Sequence, residues 1–325
     1  MESTQAGPLV ERLRRGDRLA LARLLTQVEN DTSLGRAALS ELFQQAGRAH
    51  MIGITGSPGV GKSSLVSQLA RAIRRPPGNK PSRSVAIVAV DPSSPFSGGA
   101  VLGDRVRMRD LAGDPGIFIR SMASRGALGG LAHTTAEVAQ VLDAAGFDVV
   151  LIETVGAGQA DIEIAHLAHT TVVVEAPGLG DEIQASKAGI LEIADILVVN
   201  KADRPGAEAT ERALRNMLEL SQPHPQTEGS WLPPVLRTIA IQGVGTNELV
   251  AEIERHAAHL RLTGEWQMRE SARIRTEMEL LLADTLMERW RAGLPDGIYQ
   301  TMLTAVLERK VSPHRAVEQL LDPSL

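Results

Sequence analysis

Residues 56–63 read Gly-Ser-Pro-Gly-Val-Gly-Lys-Ser. They follow the apolar run "HMIGIT" and open onto the helical pattern "SLVSQLARAIRR". Glycines between a strand and a helix let the backbone curl until its N–H groups converge, and the helix adds the positive end of its dipole at the same spot. Such a loop is a cradle for phosphate oxygens. Gly56, Ser57, Pro58, Gly59, Val60, Gly61, Lys62, Ser63 and Ser64 are therefore expected to wrap a nucleotide's phosphates, with Lys62 reaching the β- and γ-phosphates and Ser63 holding Mg²⁺. The alternative is a chance glycine turn, against which strand, loop and helix all agree. A dinucleotide-type G-x-G-x-x-G does not occur here.

The loop commits the chain to strand–loop–helix units, and the rest of the sequence follows suit. "HMIGITG", "RSVAIVAVD", "DVVLIET", "TTVVVEA" and "DILVVNK" are short runs rich in Val and Ile, separated by helical patterns. This alternation predicts an α/β fold, a P-loop domain with a mostly parallel sheet flanked by helices. Aromatics make up only 2% of the chain, so the core must be built from Leu, Val, Ile and Ala. Residues 9–29 read as one helix and "LGRAALSELFQQAG" as a second. The tail is helical again: Ile274, Met278, Leu281 and Leu282 share a face, Leu294-Pro295-Asp296-Gly297 makes a turn, and Ser312-Pro313 starts another helix. "SQPHPQTEGSWLPP" reads as a surface loop. The expected organisation is an N-terminal helical extension (1–47), a nucleotide-binding domain (48–262) and a C-terminal helical extension (263–325).

The net charge of −5 gives no reason to expect a nucleic-acid partner. With no Cys there is neither a disulfide framework nor a thiolate metal site. No apolar run approaches the ~18 residues of a membrane helix, and "MESTQAGPLVERLRRGDR" lacks the apolar core of a secretory signal. The expected location is the cytoplasm, with no membrane partner.

Asn200-Lys201-Ala202-Asp203 closes the strand "ILVV". A carboxylate at Asp203 can accept from both the guanine N1–H and the 2-amino group, a donor pair that adenine lacks. GTP is therefore expected over ATP, with Lys201 along the base and Asn200 bracing the loops. Asp203 could instead cap the next helix. Ala240, in "RTIAIQGVG", stands where a last guanine loop belongs, although Ile239 replaces the usual Ser. Three acids end strands or lie in Gly-rich loops: Asp91, Asp104 and Glu153. Beside a phosphate loop they are candidate ligands for a hard cation that takes oxygen donors. Each could also be a solvated carboxylate or a helix cap. Gly156, three residues after Glu153, could present its N–H to the γ-phosphate, as the glycine of a nucleotide switch does.

Longer runs carry a resemblance. "DPSSPFSGGAVLGDRVRM", "SRGALGGLAHTT", "ETVGAGQAD" and "PGLGDEIQASKAGILEIADILVVNKAD" are similar to the MeaB/ArgK family of G proteins, over roughly residues 15–320. That family includes the human methylmalonic aciduria type A protein. The resemblance implies a Mg²⁺-dependent GTPase that gates adenosylcobalamin delivery to, and protects, an acyl-CoA mutase. The client would be methylmalonyl-CoA mutase or a relative acting on isobutyryl- or 2-hydroxyisobutyryl-CoA. It implies Mg²⁺ near Ser63, Asp91, Asp104 and Glu153, the last being the family's switch acid. It also implies a partner-sensing switch holding Asp181, Gln184 and Lys187, with Lys187 joining Lys62 and Glu153 in catalysis, and a homodimer built by the C-terminal helices. The stripe from Ile274 to Leu282 and Trp290 suit that dimer, or could fold back on their own domain. Ala157 follows the switch glycine where some GTPases keep a water-orienting Gln, and Gln159 is only nearby, so hydrolysis should be slow without a partner. No Asp-x-His-x-x-Gly cobalt-ligand run is present, so cobalamin is expected only through the partner. The alternatives are a nickel-insertion metallochaperone GTPase, for which the pairs His166/His169 and His256/His259 are candidate ligands, and a kinase, as the ArgK name suggests.

Overall fold

The computed structural model describes residues 6–92, 108–111, 113–124, 130–154, 156, 166–178, 192–221 and 229–321. The chain divides into two compact units, Met1–Arg273 and Ile274–Leu325.

The first unit opens with α1 (Ala6–Arg14), α2 (Arg18–Glu29) and α3 (Ser33–Leu42). The single helix expected over residues 9–29 is two. Gly16 takes φ +81, and Asp17 accepts hydrogen bonds from Leu19 N and Ala20 N, so a left-handed residue ends one helix and a side chain caps the next. Thr32 caps α3 in the same way, accepting from Gly35 N.

Then come β1 (His50–Thr55), α4 (Lys62–Arg74), β2 (Val85–Pro92), β3 (Ile117–Ser124), α5 (Gly130–Ala144), β4 (Val149–Glu153), β5 (Thr170–Glu175), β6 (Ile196–Val199), α6 (Ala207–Ser221), β7 (Val235–Arg237) and α7 (Thr246–Thr263). The strands form one sheet in the order β3-β2-β4-β1-β5-β6-β7, and every pairing is parallel. The α/β fold is as the sequence predicts. Five strands were legible as apolar runs because they are buried on both faces. The two edge strands were not: β3 carries Arg120 and Ser121, and β7 has only three residues.

Alternation along the strands sorts side chains into two layers. Ile52 and Ile54 of β1 pack with Leu65, Leu69 and Ile73 of α4 and with Leu249 and Ile253 of α7. Met51 faces the other way, into a layer with Leu24 and Leu25 of α2, Leu42 of α3, and Val138 and Leu142 of α5. The N-terminal helices thus share the sheet's own core. Beyond β5 on that side, Val173, Leu197 and Val199 pack with Leu214 of α6.

α8 (Glu265–Gly293) begins in the first unit and ends in the second, where α9 (Ile298–Leu307) and α10 (Pro313–Leu321) follow. The second unit keeps the expected punctuation. Ile298 N bonds to Pro295 O across a turn with Gly297 at φ +78, and Arg315 N donates to Ser312 Oγ at the start of α10. Trp290 Nε1 donates to Leu320 O at 3.1 Å and its ring meets Tyr299 edge-on. Met278, Leu281 and Leu282 remain 65%, 43% and 59% exposed. Among the described residues no helix is long and apolar enough to cross a membrane.

Candidate functional site

β1 lies in the middle of the sheet, with β2, β3 and β4 to one side and β5, β6 and β7 to the other. The chain reverses its direction of travel here, and in open α/β sheets the crevice at the carboxyl ends of such strands is where ligands sit. The phosphate loop leaves β1 at this point.

Gly56 has φ +138, and a Cβ built on it would lie 2.0 Å from Val174 O. Only glycine lets the loop pass so close to β5. Gly61 has φ +99 and a Cβ there would meet Asn200 Nδ2 at 2.5 Å. Lys62 is buried, and its Nζ donates to Gly56 O at 2.7 Å and to Ser57 O at 3.2 Å. The ammonium folds back over its own loop, at the place where phosphate oxygens would take those bonds. Ser63, on the first turn of α4, donates from Oγ to Glu153 Oε1 at 2.6 Å. Glu153 is the last residue of β4 and is buried. Gly156, with φ +86, crosses directly above: a Cβ on it would fall 2.1 Å from Gly56 O and 2.5 Å from Lys62 Nζ. Gly156 therefore lies against the phosphate loop.

Asn200 joins three segments. Its Nδ2 donates to Val60 O at 2.8 Å, and its Oδ1 accepts from Thr238 Oγ1 at 3.1 Å and Ala240 N at 3.0 Å. Ala240 N–H is thus committed to Asn200. Lys201, at φ +56, reaches back to Gly59 O with its Nζ at 2.5 Å. Asp203 is exposed in the turn that follows, and α6 begins only at Ala207, so the carboxylate is not that helix's cap. Thr238 was not singled out in the sequence, where a threonine near a strand end carries no distinguishing signal.

Ser63 Oγ and Glu153 Oε1 fit a hard divalent cation by donor chemistry: two oxygens side by side at the rim of the phosphate loop. Asp91 lies in β2 two residues beyond Ala89, which pairs with Glu153, and so ends a neighbouring strand. Asp104, Ala157, Gln159, Asp181, Gln184 and Lys187 lie outside the described residues. Of the histidine pairs, His166 is exposed, whereas His169 is buried with Nδ1 accepting from Met51 N at 3.0 Å. His256 is fully buried, with Nδ1 at 2.9 Å from Thr170 Oγ1.

A family model described as "Methylmalonyl Co-A mutase-associated GTPase MeaB" matches residues 21–294. A putative GTPase of Pyrococcus horikoshii is 42% identical, covering 97% of this chain and 96% of the relative. GTPase ArgK of Escherichia coli is 34% identical over 96% of this chain and 94% of its own length. A mitochondrial methylmalonic aciduria type A homolog of Caenorhabditis elegans is 34% identical over 75% of this chain and 64% of its own. Among solved structures, one titled as a LAO/AO transport system kinase superposes with TM-score 0.71 at 25% identity, covering 99% of this chain and 98% of that one.

Proposed function

This chain belongs to the MeaB family of GTPases and hydrolyses GTP, and from that premise we propose that it is a chaperone of an adenosylcobalamin-dependent acyl-CoA mutase, gating cofactor delivery and protecting the enzyme. The observation that carries this reading is the reach of the family match. It runs to residue 294, past the nucleotide-binding unit and into the second compact unit, which GTP hydrolysis alone does not require. The family's description, which names methylmalonyl-CoA mutase, supports a client of that type.

In this reading the triphosphate takes over the bonds that Lys62 makes to Gly56 and Ser57. Ser63 and Glu153 hold Mg²⁺, with Asp91 and Asp104 as further oxygen donors. When bound, Mg²⁺ neutralises charge on the β- and γ-phosphate oxygens. Gly156 presents its N–H to the γ-phosphate. Asp203 accepts from the guanine edge, with Lys201 lying along the base. Ala157 offers no side chain to orient water, so hydrolysis is slow until the partner engages the segment holding Asp181, Gln184 and Lys187. The exposed Met278, Leu281 and Leu282 suit a homodimer contact. Cobalamin stays with the partner, and the setting is the cytoplasm.

The test is GTP hydrolysis by the purified chain, alone and with candidate acyl-CoA mutases, against ATP. A slow, GTP-specific rate that one mutase raises about tenfold or more supports the reading and identifies the client. Intact hydrolysis that answers to no mutase overturns it.

A further inference from the structure

Two buried threonines behind the phosphate loop have no part in the reading so far. Thr55 is the last residue of β1, immediately before Gly56, and Thr154 immediately follows Glu153. They are 0% and 5% exposed. Thr154 Oγ1 donates to Thr55 Oγ1 at 3.0 Å, and Thr154 N donates to Ile54 O at 3.1 Å. In the β1–β4 register Ile54 stands opposite Glu153, so the hydroxyl pair is the next rung, at the point where both chains leave the sheet.

The side on which this rung lies gives it a consequence. Leu151 of β4 faces α4, whereas Val150 and Ile152 face α5. Successive side chains alternate, so Glu153 belongs to the α4 face and Thr154 to the α5 face. Pinning Thr154 on the back of the sheet fixes the rotation of the strand end, which keeps Glu153 turned forward, where its carboxylate meets Ser63 Oγ at 2.6 Å. Two residues further on, the same strand end delivers Gly156 against Gly56 O and Lys62. The last backbone bond holds Thr154 N, and the rung adds a hold on its side chain.

We propose that the Thr55–Thr154 hydroxyl pair is a positioning device for GTP hydrolysis: it holds the root of the switch so that Glu153 and Gly156 are presented together to the metal and the γ-phosphate. This rests on the reading of Glu153 as the metal acid.

The experiment compares Thr154→Val, Thr154→Ser and Thr55→Val/Thr154→Val with the parent chain. A fluorescent GTP analogue is titrated with Mg²⁺ and with a chelator, and single-turnover hydrolysis is followed alongside. Loss of one hydrogen bond predicts a roughly five- to tenfold loss of Mg²⁺-dependent tightening and of hydrolysis rate in Thr154→Val, with affinity in chelator within about twofold. Thr154→Ser, which keeps the hydroxyl, stays near the parent. The double variant removes both hydroxyls of the rung at once, so neither is left buried without the other. It shows the same loss as Thr154→Val, because the two residues act as one unit. Parent-like Mg²⁺ response in the double variant, or equal losses in Thr154→Ser and Thr154→Val, would overturn the proposal. Glu153→Gln separates the premise: if it leaves the Mg²⁺ response untouched, the metal reading fails, whatever the threonine variants do.

Discussion

The two ends of the central strands carry equally dense chemistry and put it to opposite uses. At the carboxyl ends of β1, β4 and β6 stand Lys62, Ser63, Glu153 and Asn200. At the amino ends of β1, β5 and β6 stand His50, Thr170 and Asp195, joined by His169, by His256 of α7, and by Trp266, Arg269 and Glu270 of α8. At that end the charges answer one another. Arg269 donates two bonds to Asp195, at 2.7 and 2.8 Å, and Asp195 Oδ2 also accepts from Thr171 N. Glu270 lies 3.2 Å from His169 Nε2 and pairs with Arg273. Trp266 stacks on His169 with centroids 3.8 Å apart. At the carboxyl end, Lys62 is held by backbone carbonyls of its own loop and Ser63 by Glu153, bonds that an incoming phosphate or cation can replace. The difference teaches that a cluster of ionisable groups marks a ligand site only when its partners are exchangeable. The amino-end cluster spends its charges on docking α7 and α8 to the sheet.

Substitutions at the two ends should therefore fail differently. Lys62→Ala is expected to lower GTP hydrolysis by about 10²–10³ with little change in thermal midpoint, as measured by phosphate release and by melting. Arg269→Ala leaves Asp195 buried without its guanidinium. It should lower stability by about 3 kcal/mol in denaturant titration while the folded protein keeps its hydrolysis rate at 25 °C. If Arg269→Ala instead abolished hydrolysis in a stably folded chain, the division between the two ends would be broken. Asp203→Asn should weaken GTP binding by about 2 kcal/mol, close to thirtyfold, without changing stability. A displacement titration with GTP and ATP would show the lost preference.

The pH dependence tests the amino-end cluster by itself. Burial holds His50 well below its ordinary 6.5 and lowers His169, for which the bond to Glu270 only partly compensates. The unfolded chain takes up these protons first, so their contribution to stability is intact above pH 6.5 and declines below it, by up to ~1.4 kcal/mol per pH unit for each group. Burial pushes Asp195 and Glu270 up, but bonds from Arg269 and His256 to the first, and from His169 and Arg273 to the second, bring both down to about 2. Their contribution is present above their ordinary values of 3.8 and 4.5 and is lost as the pH falls towards 2. Denaturation midpoints from pH 8 to 3 should show an initial decline from the histidines and a steeper one from the acids. His169→Gln should flatten the first and leave Mg²⁺-dependent nucleotide binding unchanged.

The sequence by itself determined whatever a short stretch of chain can specify. The glycines of the phosphate loop, the run ending in Asn200-Lys201-Ala202-Asp203, the five doubly buried strands, and Ser312 and Pro313 at a helix start all depend on residues a few positions apart. Local pattern fell short where a cap competed with periodicity, as at Gly16 and Asp17, and where an edge strand mixed polar with apolar residues, as in β3. Only the tertiary structure decided which strands are neighbours, because a parallel sheet pairs strands across long crossovers. It alone set Thr154 beside Thr55, Ser63 against Glu153, and Arg269 on Asp195. These pairs are separated by 99, 90 and 74 residues, distances over which side-chain spacing along the sequence carries no information about contact.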